Sequence, residues 1–258
     1  MLELLIFFIL FIIFFIYLFK FLSYKLEKFE QQIYFLNNNE LLNILLENKD
    51  NYYNSFYKND YISRKIKSIN EYYENIEKSV YNFSDDQKNK IQEAIKIIEE
   101  NIKSKCNNLE YFDINKFNEI PWKFGCVTGK LYENGLPHTR DDIIVLSYQD
   151  LNIYSNTKLQ KTLLHEKIHI YQKKNPDDTI KFLNINNFVK YKKRAEDDNI
   201  RANPDLDNWI YQNKENQILK ASYNSNPKSI EDIIYEPLNN QSYEHPFEKM
   251  AIDFENYI

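Results

Sequence analysis

Glycine is nearly missing from this chain: there are three, all between residues 125 and 135, and none of the seven prolines precedes Pro121. The first 120 residues therefore lack both strong helix breakers, which predicts helices there and leaves turns and a small sheet to the rest of the chain. Cysteine is as scarce. Cys106 and Cys126 cannot make a disulfide framework, and their spacing to each other and to the histidines matches no cysteine-zinc pattern, so buried free thiols are expected. Basic charge is not in excess either, with 33 Lys and Arg against 38 Asp and Glu and a formal charge of -5. Such a chain lacks the positive surface that a phosphate backbone demands, and nucleic acid is excluded as the expected partner. Histidine is the last scarce residue, four in 258.

Long apolar runs are absent with one exception. Residues 2–19, LELLIFFILFIIFFIYLF, are apolar apart from Glu3 and as a helix would run about 27 Å. No basic stretch precedes the run and bulky residues follow it in place of a small-residue cleavage site, so an uncleaved transmembrane helix over residues 1–23 is expected. Lys20, Lys25 and Lys28 lie after it. By the positive-inside rule this predicts a single-pass membrane protein with its C-terminal bulk on the cytosolic side.

Residues 24–83 are rich in Lys, Glu, Asn and Tyr with irregular apolar spacing, and read as a helical stalk or cap. A folded domain is expected over 84–258. It opens with Ser84-Asp85-Asp86-Gln87, which has capping-box form, and Ile91, Ala94, Ile95, Ile98 and Ile102 then recur at helical steps. Pro121 to Ser147 holds every glycine and closes on Ile143 to Leu146, a short strand. The expected fold class is α+β, mainly helical.

The histidines now matter. Thr157-Lys158-Leu159-Gln160 again has capping-box form, and the helical pattern runs on until Asn175-Pro176 stops it. His165 and His169 lie on that helix at i and i+4, where two imidazoles project from one face and can share a tetrahedral Zn2+. Glu166 stands beside them and can take a proton from a water activated by the metal without being a ligand. Further on, Pro246 fits the first turn of a C-terminal helix from which Glu248 projects. Third-ligand candidates are Glu248, His245, Glu244 and Glu255.

His165-Glu166-Lys167-Ile168-His169 resembles the HExxH zinc metallopeptidases, the zincins. The segment after His169 lacks the glycine and third histidine of the metzincin extension. Glu248, with Ala251 three residues later, is similar to the Glu-type zincins, in which a downstream-helix glutamate is the third ligand and a small residue allows close packing. The stretches PHTRDDIIVLS, LLHEKIHIYQ, RANPDLDNW and YEHPFEKMA resemble uncharacterised zinc-peptidase-like proteins of large DNA viruses and some protists, over roughly residues 120–258. The resemblance implies a zincin-like domain with a small sheet and an HExxH active-site helix. It also implies a zinc metallopeptidase acting on peptide or protein substrates, with His165, His169 and Glu248 on the metal and Glu166 as general base.

His245, if not a ligand, is a candidate catalytic donor to the oxyanion of the tetrahedral intermediate, with Tyr243 a second candidate. His138 either binds substrate or is a turn histidine held by Asp141 or Asp142. Arg201 to Asp205 reads as a turn after a charged helix, and Trp209 to Tyr211 as a short strand. The competing whole-chain reading is a catalytically inactive zincin-fold interaction or scaffold protein anchored to a membrane. An intact Glu166 speaks against it, because a structural zinc site has no use for a general base.

Overall fold

The computed structural model describes residues 11–20, 33–106, 108–197, 199–237 and 243–258. Five strands form the larger sheet: β1 (Ile33–Phe35), β2 (Val80–Tyr81), β3 (Trp122–Val127), β4 (His138–Arg140) and β5 (Ile143–Ser147). The order is β1-β3-β5-β4; β1 and β5 run parallel to β3, and β4 lies antiparallel to β5 on the outer edge. β2 pairs antiparallel with the far end of β3, beyond the stretch that β1 covers. Every residue of β5 is buried, as expected of a strand covered on both faces.

Strand alternation divides the core in two. Ile143 and Val145 face a cluster with Leu41, Leu45, Tyr52, Tyr53, Tyr72 and Ile76, whereas Ile144 and Leu146 face Ile91, Ile95, Ile98, Leu163 and Phe254. Gly125 of β3 is where the first layer comes closest. A Cβ there would overlap Leu41 Cδ1 and stand 2.9 Å from Cδ2, so the helix Asn38–Glu47 rests directly on the backbone of the sheet.

The second layer is built from three helices. The long helix Asp85–Lys105 begins with the expected capping box, Ser84 and Gln87 bonding each other's backbone. The motif helix Asn156–Lys174 is capped by Ser155, two residues earlier than Thr157, whose capping-box form is not used; Asn175 ends it and Pro176 starts the next helix, Pro176–Ile185. The C-terminal helix Pro246–Glu255 buries Met250, Ala251 and Phe254 completely in the core cluster that holds Leu163, Leu164 and Ile168 of the motif helix. A second, antiparallel sheet has the order β6 (Val189–Lys193), β7 (Trp209–Gln212), β8 (Ile218–Tyr223), β9 (Ile233–Glu236). β6 stands where a charged helix was expected before Arg201, and a bridge between Ile200 and Ser222 holds the start of the 201–205 loop.

Two expectations are corrected. Among the described residues no helix is long and apolar enough to cross a membrane. Residues 11–20, the described part of that run, are helical. The remainder of the expected anchor, residues 1–10 and 21–23, lies outside the described residues. The transmembrane helix over 1–23, the membrane as a partner and the single-pass placement are thereby not supported.

The second correction concerns the helical stalk or cap expected over residues 24–83; residues 24–32 lie outside the described residues, and residues 33–83 are built into the folded domain. They supply β1 and β2 to the sheet and half of its inner cover. They also carry a buried ionic network. Arg64 grips Glu133 with Nε at 2.9 Å and Nη2 at 2.8 Å, and Tyr72 and Tyr52 donate hydroxyl hydrogens to the same carboxylate. Asp60 accepts from Arg194 Nη2 at 2.8 Å and from the Ala202 amide at 2.9 Å.

Burial alone would raise the Glu133 carboxyl, but Arg64 outweighs it and lowers it to about 2. A depressed carboxylate contributes stability above the unfolded value of about 4.5 that is lost as pH falls toward 2. Glu133→Gln, which leaves Arg64 without its main counter-ion, should cost about 3 kcal/mol at pH 7. Urea unfolding should show that deficit shrinking between pH 4.5 and 2, where the wild type loses the same charge; a constant deficit would remove the ion pair as its cause.

Candidate metal centre

The motif helix presents His165 and His169 on one face, ring centroids 4.8 Å apart, and the C-terminal helix lays Glu248 across them. Glu248 Oε2 is 3.2 Å from His165 Nε2 and Oε1 is 3.8 Å from His169 Nε2. One donor atom from each of the three residues lies within 4.8 Å of the others. Zinc bonds of 2.0–2.2 Å at tetrahedral angles put donors roughly 3.4 Å apart, so a set spread over as much as 4.8 Å holds a single ion once its widest pair closes by about 1.4 Å.

The outward-facing ring nitrogens are held by groups that fix the tautomer. His165 Nδ1 donates to Glu255 Oε1 at 2.9 Å, and His169 Nδ1 donates to Gln172 Oε1 at 3.0 Å. With Nδ1 of both rings donating outward, both Nε2 atoms face Glu248 and are the atoms that can turn a lone pair to a metal once His165 has given up its Nε2 proton. Gln172 in turn donates to the Phe247 carbonyl at 2.9 Å, tying one helix to the other. His169 Nε2 is buried with no hydrogen-bond partner, which is costly unless something else fills the position.

Charge is distributed to match. Burial would raise the Glu248 carboxyl, but His169, His165 and Arg201 hold it well below the usual carboxylate range. Burial lowers His169. His165 feels the same burial, but Glu248 and Glu255 overcome it and raise the imidazole well above its ordinary value. Asn203 donates to Glu248 Oε1 at 3.1 Å and to Glu244 Oε1 at 3.0 Å, and Arg201 Nη2 reaches the same Glu244 oxygen at 2.5 Å. Asn203 thus orients the third carboxylate from a loop on the far side of the centre.

Glu166 is 5% exposed, and its Oε2 is buried with no hydrogen-bond partner. Burial raises its carboxyl well above the usual range, and the Asp205 charge adds to this. A cleft of about 330 Å³ opens over the centre, lined by Thr162, His165 and Glu166 on one helix, Glu248 and Glu255 on the other, and the 201–205 loop.

The remaining sequence candidates fall elsewhere. His245 caps the C-terminal helix: its Nδ1 accepts from the Phe247 amide at 3.1 Å and its Nε2 faces Asp207 Oδ1 at 3.1 Å. Both ring nitrogens are committed and the residue is not part of the cleft lining. Tyr243 also lies outside the cleft, in a surface hollow with Lys249. Glu244 is held by Arg201 and Asn203 rather than by the histidines. His138 lines the cleft, with Nδ1 donating to the Leu136 carbonyl at 2.8 Å and Nε2 accepting from Tyr132 at 3.1 Å, so neither Asp141 nor Asp142 holds it. Cys106 and Cys126 are buried free thiols.

Gln172, Asn203, Arg201 and Asp205 are site residues that sequence reasoning did not select. Gln172 could have been found as the residue one turn past His169; nothing local marks the three loop residues. No family model, curated protein or solved structure matches this chain.

A carboxyl raised on folding binds more protons in the native than in the unfolded state, so its contribution falls as pH rises above the unfolded value of about 4.5. Metal-free Glu166→Gln should therefore be more stable than metal-free wild type at pH 7, by roughly 1–3 kcal/mol. Thermal unfolding in chelator at pH 7 and pH 4 checks this, with the gain absent at pH 4.

Proposed function

We propose that this protein is a zinc-dependent metallopeptidase in which His165, His169 and Glu248 hold the metal and Glu166 is the general base. The observation that carries the reading is the convergence of three ligand atoms within 4.8 Å, from helices distant in sequence, beside a buried carboxylate oxygen that has no partner. When bound, zinc supplies Lewis acidity, which acidifies a water and polarises a carbonyl brought against it.

The chain's own groups do the rest. Glu166, kept dry and raised, is a strong acceptor for the proton of the attacking water and a competent donor to the departing amine. Glu255 and Gln172 keep the imidazoles from rotating, and Asn203 keeps Glu248 in line. Leu136, Pro137 and His138 line the same cleft and are available to contact a bound peptide.

Metal content and hydrolysis of a mixed peptide library, measured on the full chain, test the reading. Wild type should carry about one zinc per chain. His165→Ala and Glu248→Ala should lose it. Glu166→Gln should keep it while hydrolysis drops by at least about 100-fold. A folded wild type without zinc, or turnover retained in Glu166→Gln, sinks the reading; stoichiometric zinc with no hydrolysis favours a non-catalytic scaffold.

Zinc affinity should also depend on pH in a defined direction. Glu248 and Glu255 favour the His165 imidazolium in the metal-free protein, and zinc requires the neutral ring. Affinity should therefore rise by up to about tenfold per pH unit from pH 6 upward, and calorimetry in buffers of different ionisation enthalpy should detect proton release. A flat profile would contradict it.

A further inference from the structure

Four residues of the motif helix share the face that carries the metal site. Lys158, Thr162, His165 and His169 follow one another at helical steps, and the first three line the cleft. Lys158 stands two turns before His165, about 10.5 Å along the helix axis. The cleft thus extends along this helix as far as Lys158.

Charge in the lining is matched everywhere but there. Glu133 pairs with Arg64, Glu255 with His165 and Glu248 with both histidines, while Asp205 shares the Thr139 hydroxyl with the Lys173 ammonium. Glu166 is the base of the reading above. Of the two cations, Arg201 is held by Glu244 at 2.5 Å. Lys158 is in no ion pair among the described residues; its Nζ lies 5.9 Å from the centre of the Tyr154 ring, itself part of the lining.

One turn nearer the centre, Thr162 is 7% exposed, lines the cleft and makes no side-chain hydrogen bond among the described residues. A hydroxyl so enclosed gains from a ligand oxygen placed against it. At i and i+4 the two side chains start about 6 Å apart, a span that one carboxylate bridges by accepting from the ammonium with one oxygen and from the hydroxyl with the other. A neutral oxygen would serve Thr162 and leave Lys158 unmatched, and a cation would be repelled.

We propose that Lys158 and Thr162 form a carboxylate subsite of the cleft, so that the protein selects peptides bearing an acidic group two or three residues from the scissile bond. This rests on the metallopeptidase reading above. An extended peptide advances about 3.3 Å per residue, so the distance from His165 to Lys158 is three such steps, or two and the reach of a glutamate side chain. The carboxylate is that of an Asp or Glu side chain or of the chain terminus. Nearer the centre, Glu166, Glu248 and Glu255 repel an anion, which confines the preference to the Lys158 end.

The test uses zinc-loaded full chain and nonapeptides blocked at both ends, with Glu, Gln or Lys at the centre of an otherwise uncharged sequence. Cuts are located by mass spectrometry. The Glu peptide should be cut two or three residues from its glutamate, with kcat/KM roughly 5- to 10-fold above that of the Gln peptide, the gain lying in KM. Salt at about 1 M should shrink the gain. Lys158→Glu should invert the order in favour of the Lys peptide; an acid suits the first turn of a helix, so this variant keeps its fold. Thr162→Val should reduce the preference without inverting it.

Equal cleavage of the three peptides, or an order unchanged in Lys158→Glu, overturns the proposal and leaves the hydrolase standing. The Gln peptide with its carboxyl end freed separates the two sources: a gain seen only there keeps the subsite and names the chain terminus as its ligand. Zinc-loaded Glu166→Gln reads binding without turnover. Calorimetry should show the Glu peptide bound more tightly than the Gln peptide, and equal affinities overturn the proposal. If the wild type carries zinc, binds the peptides in that order and cuts none of them, the hydrolase falls and the carboxylate subsite remains.

Discussion

The site depends on one close approach, that of the C-terminal helix to the motif helix. Glu248 reaches both imidazoles because Ala251, one turn along, is buried with only a methyl group between the helices, while Met250 and Phe254 are buried in the same core cluster. The contact joins helices that lie far apart in the chain and have little else in common. It brings an anion onto the Nε2 atoms of two rings. Apolar packing fixes the distance, and the polar groups at Gln172, Glu255 and Asn203 fix the angle.

The sheet makes that contact possible by supplying a rigid floor. Alternation along β5 sends Ile144 and Leu146 toward the motif helix and Ile143 and Val145 toward the early helices, so a single strand is shared by both halves of the core. The loop from Arg201 to Asp205 completes the enclosure from the other side. It is pinned at three places, to Glu244 and Glu248 through Arg201 and Asn203, to Asp60 through the Ala202 amide, and to Thr139 through Asp205. Glu166, with one buried oxygen lacking a partner and its carboxyl raised by burial, is the group this packing keeps from water.

Legibility in the sequence tracked the range of the signal. The motif helix, the long helix with its Ser84 cap and the proline at the start of the last helix are written in spans of a few residues, where side-chain spacing and capping chemistry are local. So were His165, Glu166 and His169. Glu248 was reachable because its helix could be recognised and its face counted. The loop residues could not be, since Asn203 and Asp205 act through contacts set by the second sheet. The early strands were hidden for a different reason: β1 and β2 are three and two residues long, too short for a period-2 pattern, and an absence of glycine and proline permits a strand as readily as a helix. His245 misled because a histidine makes a good helix cap as well as a good ligand.

The Arg64–Glu133 and Asp60–Arg194 pairs bear on how such a protein can be kept inactive. Many hydrolases are made with an early segment that covers the site and is later cut away. Here residues 33–83 cannot have that role, because their removal would take β1 from the sheet, uncover Val145 and leave Glu133 and Arg194 as unmatched charges in the interior. Proteolytic shedding of this segment is closed to the fold, because the sheet and both ion pairs are built with it.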